Sequence, residues 1–212
     1  MREKKFLLAV PEARVLEWVA RRLPAWLKPD HLTALGVLAA LGIAAAYVLS
    51  NGDAAWLWAA SALLAVHWLG DSLDGTLARV RKTERPRYGY LDHLVDAFAT
   101  AAIGIGLGLS PYMLLAVGLA IVVAYLILSV NTYLETQAFG VFTLGYGRLG
   151  PTEARLALIA LNTSIAAGLG FEVLGLSVLD AIGLTIAAAM IAALIARAAG
   201  NLRRLSELEP AA

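Results

Sequence analysis

The chain has 212 residues, 60% of them hydrophobic and only 16% charged, with no cysteine and a formal net charge of +1. So large an apolar share excludes an ordinary soluble domain, and the missing cysteines exclude disulfides, thiolate catalysis and Cys-ligated zinc. The apolar runs are continuous rather than alternating with period two, which excludes a transmembrane barrel and leaves an all-α, polytopic membrane protein. No nucleic-acid partner is expected.

The N-terminus, MREKKFLLAVP, begins like a signal peptide, but its apolar core is short and is stopped by Pro11. From Pro11 to Leu27, Val15, Trp18, Val19, Leu23 and Trp26 recur at helical spacing, with Arg14, Arg21 and Arg22 elsewhere. This reads either as an amphipathic helix on the membrane surface, its arginines toward lipid phosphates, or as a helix packed on the transmembrane bundle. A first span is expected over about 32–50, capped at its start by Asp30 or Thr33. The second starts near Ala54 after the Asn51-Gly52-Asp53 turn. At ~1.5 Å per residue a ~30 Å core needs about 20 residues, so this span reaches its far boundary near Asp74. A polar loop over 79–88 follows, then spans over about 89–109 and 112–132, a longer polar loop over about 135–151, and spans over about 152–169 and 176–196. The expected architecture is six transmembrane helices plus an N-terminal juxtamembrane helix. It divides into a juxtamembrane segment (1–31), a six-span domain (32–200) and a charged tail (201–212).

The basic residues orient this architecture. Seven lie in residues 1–30, five in the second-to-third loop, Arg148 and Arg155 in the fourth-to-fifth connection, and Arg197, Arg203 and Arg204 at the end. The opposite turns, near 51–53, 109–111 and 170–175, hold none of the 17. The positive-inside rule then places both termini in the cytoplasm.

The chemistry concentrates between Asp71 and Asp96, DSLDGTLARVRKTERPRYGYLDHLVD. Asp71 and Asp74 are spaced i, i+3 and Asp92 and Asp96 i, i+4, so on helices each pair projects from one face. The topology puts both pairs just inside the cytoplasmic boundary, where a water-soluble nucleotide and a lipid can meet. Carboxylates inside a membrane mark functional sites by default, and four that converge cannot all stay ionised without cations. An oxygen-only ligand set points to Mg²⁺ or Mn²⁺. Two classes fit: a membrane enzyme with a metal centre, or a divalent-cation transporter or channel. A pathway needs polar groups through the whole bilayer depth, and here the acids cluster at one end while the outer halves of the spans are nearly all Ala, Leu, Ile, Val and Gly.

The order Asp71-x-x-Asp74-Gly75-x-x-Ala78-Arg79, then Asp92-x-x-x-Asp96, resembles the signature of the CDP-alcohol phosphatidyltransferase family. The family's second glycine falls here on Tyr88, with Gly89 one place later. The resemblance implies an integral-membrane transferase of phospholipid biosynthesis that moves a phosphoalcohol or phosphatidyl group from a CDP-linked donor to a lipid or small-alcohol hydroxyl, with release of CMP. It implies two divalent ions held by Asp71, Asp74 and Asp92, with Asp96 nearby and acting as general base. It also implies close packing of the nucleotide on Gly75, Ala78 and Gly89, Arg79 on the phosphate or cytidine side, and a homodimer. Tyr133, Glu135, Thr136 and Gly150-Pro151-Thr152-Glu153 are similar to the choline/ethanolamine phosphotransferase branch, as is Asp92-His93. Lys28-Pro29-Asp30-His31-Leu32-Thr33 resembles the family's Pro-Asn-x-x-Thr entry to its first span, with Asp30 in place of Asn. The Arg-x-x-Ala-Glu element of branches with phosphorylated acceptors is not evident in the fourth span, and Arg155 and Glu135 are the weaker candidates for the acceptor side.

Other patterns carry less. Gly145-x-Gly147-x-x-Gly150 has dinucleotide-fingerprint spacing but no preceding strand, and reads as loop. Gly104 and Gly108 read as close helix packing. His31, His67 and His93 have no metal-ligand spacing, and Glu135 and Glu153 read as caps at helix ends.

Overall fold

A computed structural model describes residues 8–84, 86–140, 150–169, 172–173 and 176–208. These form seven helices: α1 (Ala9–Ala20), α2 (Pro29–Leu49), α3 (Trp56–Val80), α4 (Pro86–Gly108), α5 (Leu115–Phe139), α6 (Pro151–Ala166) and α7 (Val178–Leu208). A two-residue antiparallel pairing, Glu172–Val173 with Leu176–Ser177, precedes α7. The architecture is all-α. The glycine pattern at 145–150 falls mostly on residues outside those described, as do Arg85 and Arg148.

Among the described residues, four helices are long and apolar enough to cross a membrane: α2, α4 from Gly89, α5 and α7. The six spans expected from sequence are therefore not all matched on length and composition. The 25-residue α3 is long enough, but its second half carries Asp71, Asp74 and Arg79. The 16-residue α6 is about 24 Å long, short of the bilayer core. Two ends also differ from expectation. No proline falls between Ala196 and Leu208, and α7 continues through Gly200 and the expected tail to Leu208. Likewise α5 runs past Thr132 until Gly140, which takes a left-handed conformation (φ 69°) and stops the helix.

The bundle is arranged around α3, which packs against α1, α2 and α6, while α4 joins α2 to α5 and α5 joins α7. The main core gathers Ile43, Tyr47, Leu57, Leu64, Leu107, Met113, Val117 and Leu179. A second cluster, Leu16, Ala20, Leu32, Leu73 and Leu77, fastens α1 to the start of α2 and the last turns of α3. Thus α1 is packed on the bundle, while Val15 and Trp18 remain exposed on its other side.

Glycine sets the spacing where it matters for the site. A Cβ on Gly70 would lie 2.8 Å from the Leu32 carbonyl and 2.9 Å from the Gly36 nitrogen. The backbones of α2 and α3 therefore touch one residue before Asp71. Gly104 and Gly118 bring α4 and α5 together in the same way, since a Cβ on Gly118 would sit 2.6 Å from the Gly104 carbonyl. That is the close packing expected of Gly104.

Candidate active site

The two aspartate pairs lie on α3 and α4 and face one another. Asp96 lies within hydrogen-bond reach of Asp71 and feels the charge of Asp92, and Asp74 in turn feels Asp92 and Asp71. The four carboxylates are thus close enough to influence one another. Asp92, Asp96 and His93 each offer a ligand atom within 4.8 Å of the others. His93, which spacing alone had set aside, belongs to this group, and its ring stands 5.4 Å from that of Tyr133 on α5. Tyr125 and Tyr133 approach Asp96 from the α5 side.

Each α3 carboxylate is held by named partners. Asp74 is buried, and it accepts from the Thr33 hydroxyl at 2.6 Å and from the Gly75 N–H at 2.5 Å. Thr33 was expected as a cap for α2, but its hydroxyl turns across to α3; at the start of α2 the Lys28 N–H is met by His31 Nδ1 at 3.3 Å. Asp71 accepts from Arg155 of α6 at 2.6 Å, with both side chains largely removed from solvent. One turn before Asp71, His67 is buried and faces Arg155 and Asp71, and its Nδ1 has no hydrogen-bond partner among the described residues.

The neighbouring motif residues are placed as follows. Ala78 is buried. Arg79 donates to the Thr76 hydroxyl at 2.9 Å, and its guanidinium folds back so that a Cβ on Gly75 would meet it at 3.4 Å. Bulk at position 75 would displace Arg79. Around Gly89 a Cβ would meet nothing within 4 Å, so the protein itself makes no demand for glycine there. Glu135 does not join the aspartates. It forms a bidentate pair with Arg197 of α7, at 2.8 and 3.0 Å to Nε, beside a cavity of about 530 Å³ lined also by Asn131, Phe139 and Asn201. Glu153 is a cap, as expected: it accepts from its own helix start at Gly150 N–H (2.9 Å) and also from Leu8 N–H (2.8 Å).

Four carboxylates gather here, Asp71 paired with Arg155, and like charges held this close in a partly buried site require cations or protons. The donor atoms are carboxylate oxygens with one imidazole at the edge, a set suited to hard divalent ions. The residues present therefore fit a divalent metal centre.

The family model for CDP-alcohol phosphatidyltransferase matches residues 26–196. The chain belongs to the CDP-alcohol phosphatidyltransferase family. Members are transferases of phospholipid synthesis that pass a phosphoalcohol from a CDP-alcohol to an alcohol or lipid acceptor in a membrane, and they use divalent metals. Membership decides for the transferase over the cation-pathway reading, and with the apolar helices it makes this an integral membrane protein. The matched region contains α2 to α6 and most of α7 but not α1. Comparison with curated proteins gives no match.

Proposed function

We propose that the chain is a metal-dependent CDP-alcohol phosphotransferase whose reaction centre is Asp71, Asp74, Asp92 and Asp96. The observation that carries this reading is the meeting of the i, i+3 pair of α3 with the i, i+4 pair of α4. Asp71, Asp74 and Asp92, with Asp96 beside them, would hold two Mg²⁺ or Mn²⁺ ions. When bound, these ions neutralise the donor diphosphate and the charge that develops on the departing CMP. Asp96 takes the proton of the acceptor hydroxyl. The acceptor oxygen then forms a bond to the phosphorus of the transferred group as the bond from that phosphorus to CMP breaks, and the pair of electrons leaves with CMP. Gly75 and Gly89 offer a low surface for the nucleotide, to which the small Ala78 adds no bulk, and Arg79, exposed at the rim of the site, is free to turn from Thr76 to the donor.

The acceptor in this reading is an unphosphorylated hydroxyl, and the headgroup chemistry is neutral or zwitterionic, as in the choline/ethanolamine branch. A phosphate on the acceptor needs fixed cations of its own. Among the described residues, Arg155 is engaged by Asp71 and Arg81 by the carbonyls of Leu23, Pro24 and Leu27, and Arg79 is assigned here to the donor. The reading includes six spans, with α3 and α6 crossing alongside the four apolar helices, both termini and the site on the cytoplasmic side, residues 32–200 as the transferase unit between segments 1–31 and 201–212, and a homodimer.

The test is CMP release by purified protein. CDP-diacylglycerol is offered with glycerol 3-phosphate or inositol 1-phosphate, and CDP-choline or CDP-ethanolamine with diacylglycerol. Release is expected with the diacylglycerol acceptor. Efficient use of a phosphorylated acceptor, lost on Arg155→Ala, contradicts the acceptor assignment.

A further inference from the structure

Glu12 lies on α1, outside the stretch matched by the family model. Its Oε1 nevertheless accepts three hydrogen bonds from two other helices: from Trp68 Nε1 at 2.8 Å and Ser72 Oγ at 3.2 Å on α3, and from Thr152 Oγ1 at 2.9 Å on α6. Trp68 and Ser72 are spaced i, i+4 and share a face of α3, and Ser72 is the neighbour of Asp71. Thr152 precedes Arg155 by three residues, so those two are neighbours on the surface of α6. A single carboxylate oxygen therefore bridges the same two helices that the Asp71–Arg155 pair joins.

Two further ties hold α1 in place. The Leu8 N–H donates to Glu153 Oε1 at 2.8 Å, which fixes the start of α1 to the start of α6. Arg81, just past the end of α3, donates to the carbonyls of Leu23 (3.1 Å) and Pro24 (2.9 Å) and to that of Leu27, in the connection between α1 and α2. A helix resting only on the membrane surface makes no such bonds. Hydrogen bonds to an ionised acceptor are stronger than neutral ones, and in a partly buried setting each resists helix displacement more than it would in water.

We propose that Glu12 is a positioning residue for the transfer reaction. It sets the register of α3 against α6, which keeps Asp71 turned toward Asp92 and Asp96. The juxtamembrane helix thereby belongs to the active centre although it touches no reacting atom. This proposal rests on the reading of Asp71 as a cation-holding carboxylate.

The experiment is Mn²⁺ calorimetry on the full chain without donor, with the thermal midpoint measured in parallel, for wild type, Glu12→Ala, Glu12→Gln, Thr152→Val and Asp71→Asn. Glu12→Ala is expected to weaken Mn²⁺ binding by about ten-fold, the low end for groups that orient metal ligands. Glu12→Gln is expected to recover most of that loss, because an amide oxygen still accepts from Trp68, Ser72 and Thr152. Thr152→Val, which removes only the α6 tie, is expected to fall between wild type and Glu12→Ala. Wild-type Mn²⁺ affinity in Glu12→Ala, whatever its thermal midpoint, overturns the proposal, as does a Glu12→Gln variant no better than Glu12→Ala. Should Glu12→Ala fail to fold, unchanged affinity in Thr152→Val overturns it instead. Unchanged affinity in Asp71→Asn refutes the cation reading itself, and the proposal with it. A loss confined to Asp71→Asn overturns the role of Glu12 alone.

Discussion

Arg155 of α6 donates to Asp71 of α3 at 2.6 Å, across 84 residues of sequence, with both side chains at most 20% exposed. In the proposed reaction centre, Arg155 would supply positive charge to the acid cluster in the absence of metal and would compete with metal for Asp71. Arg155→Ala should therefore destabilise the metal-free protein by about 3 kcal/mol, the cost of leaving one member of a buried pair unpaired. Added Mg²⁺ should then raise its thermal midpoint by more than it raises that of wild type. An equal Mg²⁺-induced rise in both proteins would show that Arg155 and cations do not meet at Asp71.

Thr33 is the hydroxyl partner of buried Asp74. Thr33→Val keeps the shape and removes the donor, which should cost about 1.5–3 kcal/mol for a hydrogen bond to a charged group. CDP-donor affinity should fall with it, because Asp74 loses its orientation. Thr33→Ser should keep both. Chemical denaturation and calorimetry on the two variants check this, and a Thr33→Val protein with wild-type stability and donor affinity counts against it.

The roles assigned to the aspartates separate by what each variant binds. Asp96→Asn should abolish transfer while largely retaining the CDP donor, since a base acts on the acceptor. Asp71→Asn and Asp74→Ala should weaken donor binding through loss of metal. Calorimetry with the donor in excess Mg²⁺ decides this, and equal loss of donor binding in all three would make Asp96 chiefly a cation ligand.

The proposed orientation rests on the charge asymmetry of the connections. A reporter active only outside the cytoplasm should give signal when fused after Ser50 or Ser110 and none when fused at the C-terminus. The reverse pattern would put the aspartates on the other side of the membrane and remove their access to a cytoplasmic nucleotide.

How much of this was legible in the sequence depends on the range of each contact. The aspartate pairs could be read because their spacing is local and helix geometry alone puts each pair on one face. Their meeting followed from two consecutive antiparallel helices joined by a short connection. Thr33 was half legible: the Pro29 to Thr33 segment resembled a family entry motif, but capping was the local reading, and its true partner lies 41 residues away on α3. Arg155 stood out as a nearby cation, yet nothing local indicated that Asp71 occupies it. Glu12 could not be found, since its partners lie 56, 60 and 140 residues ahead. Glu135 was read as a possible acceptor group because its segment is similar to the choline/ethanolamine branch, while its partner Arg197 lies 62 residues on, beyond any local pattern. The span count proved hard to read for a related reason. The acids that make α3 functional also dilute its hydropathy, so the signal for crossing and the signal for chemistry oppose each other in one helix.

The most direct measurement of the central claim is CMP release from a CDP-linked donor by the purified protein, with and without a chelator in excess of all divalent cations. If Asp71, Asp74, Asp92 and Asp96 form a divalent metal centre, release collapses on chelation and returns when Mg²⁺ or Mn²⁺ is restored. Undiminished release in excess chelator would contradict it.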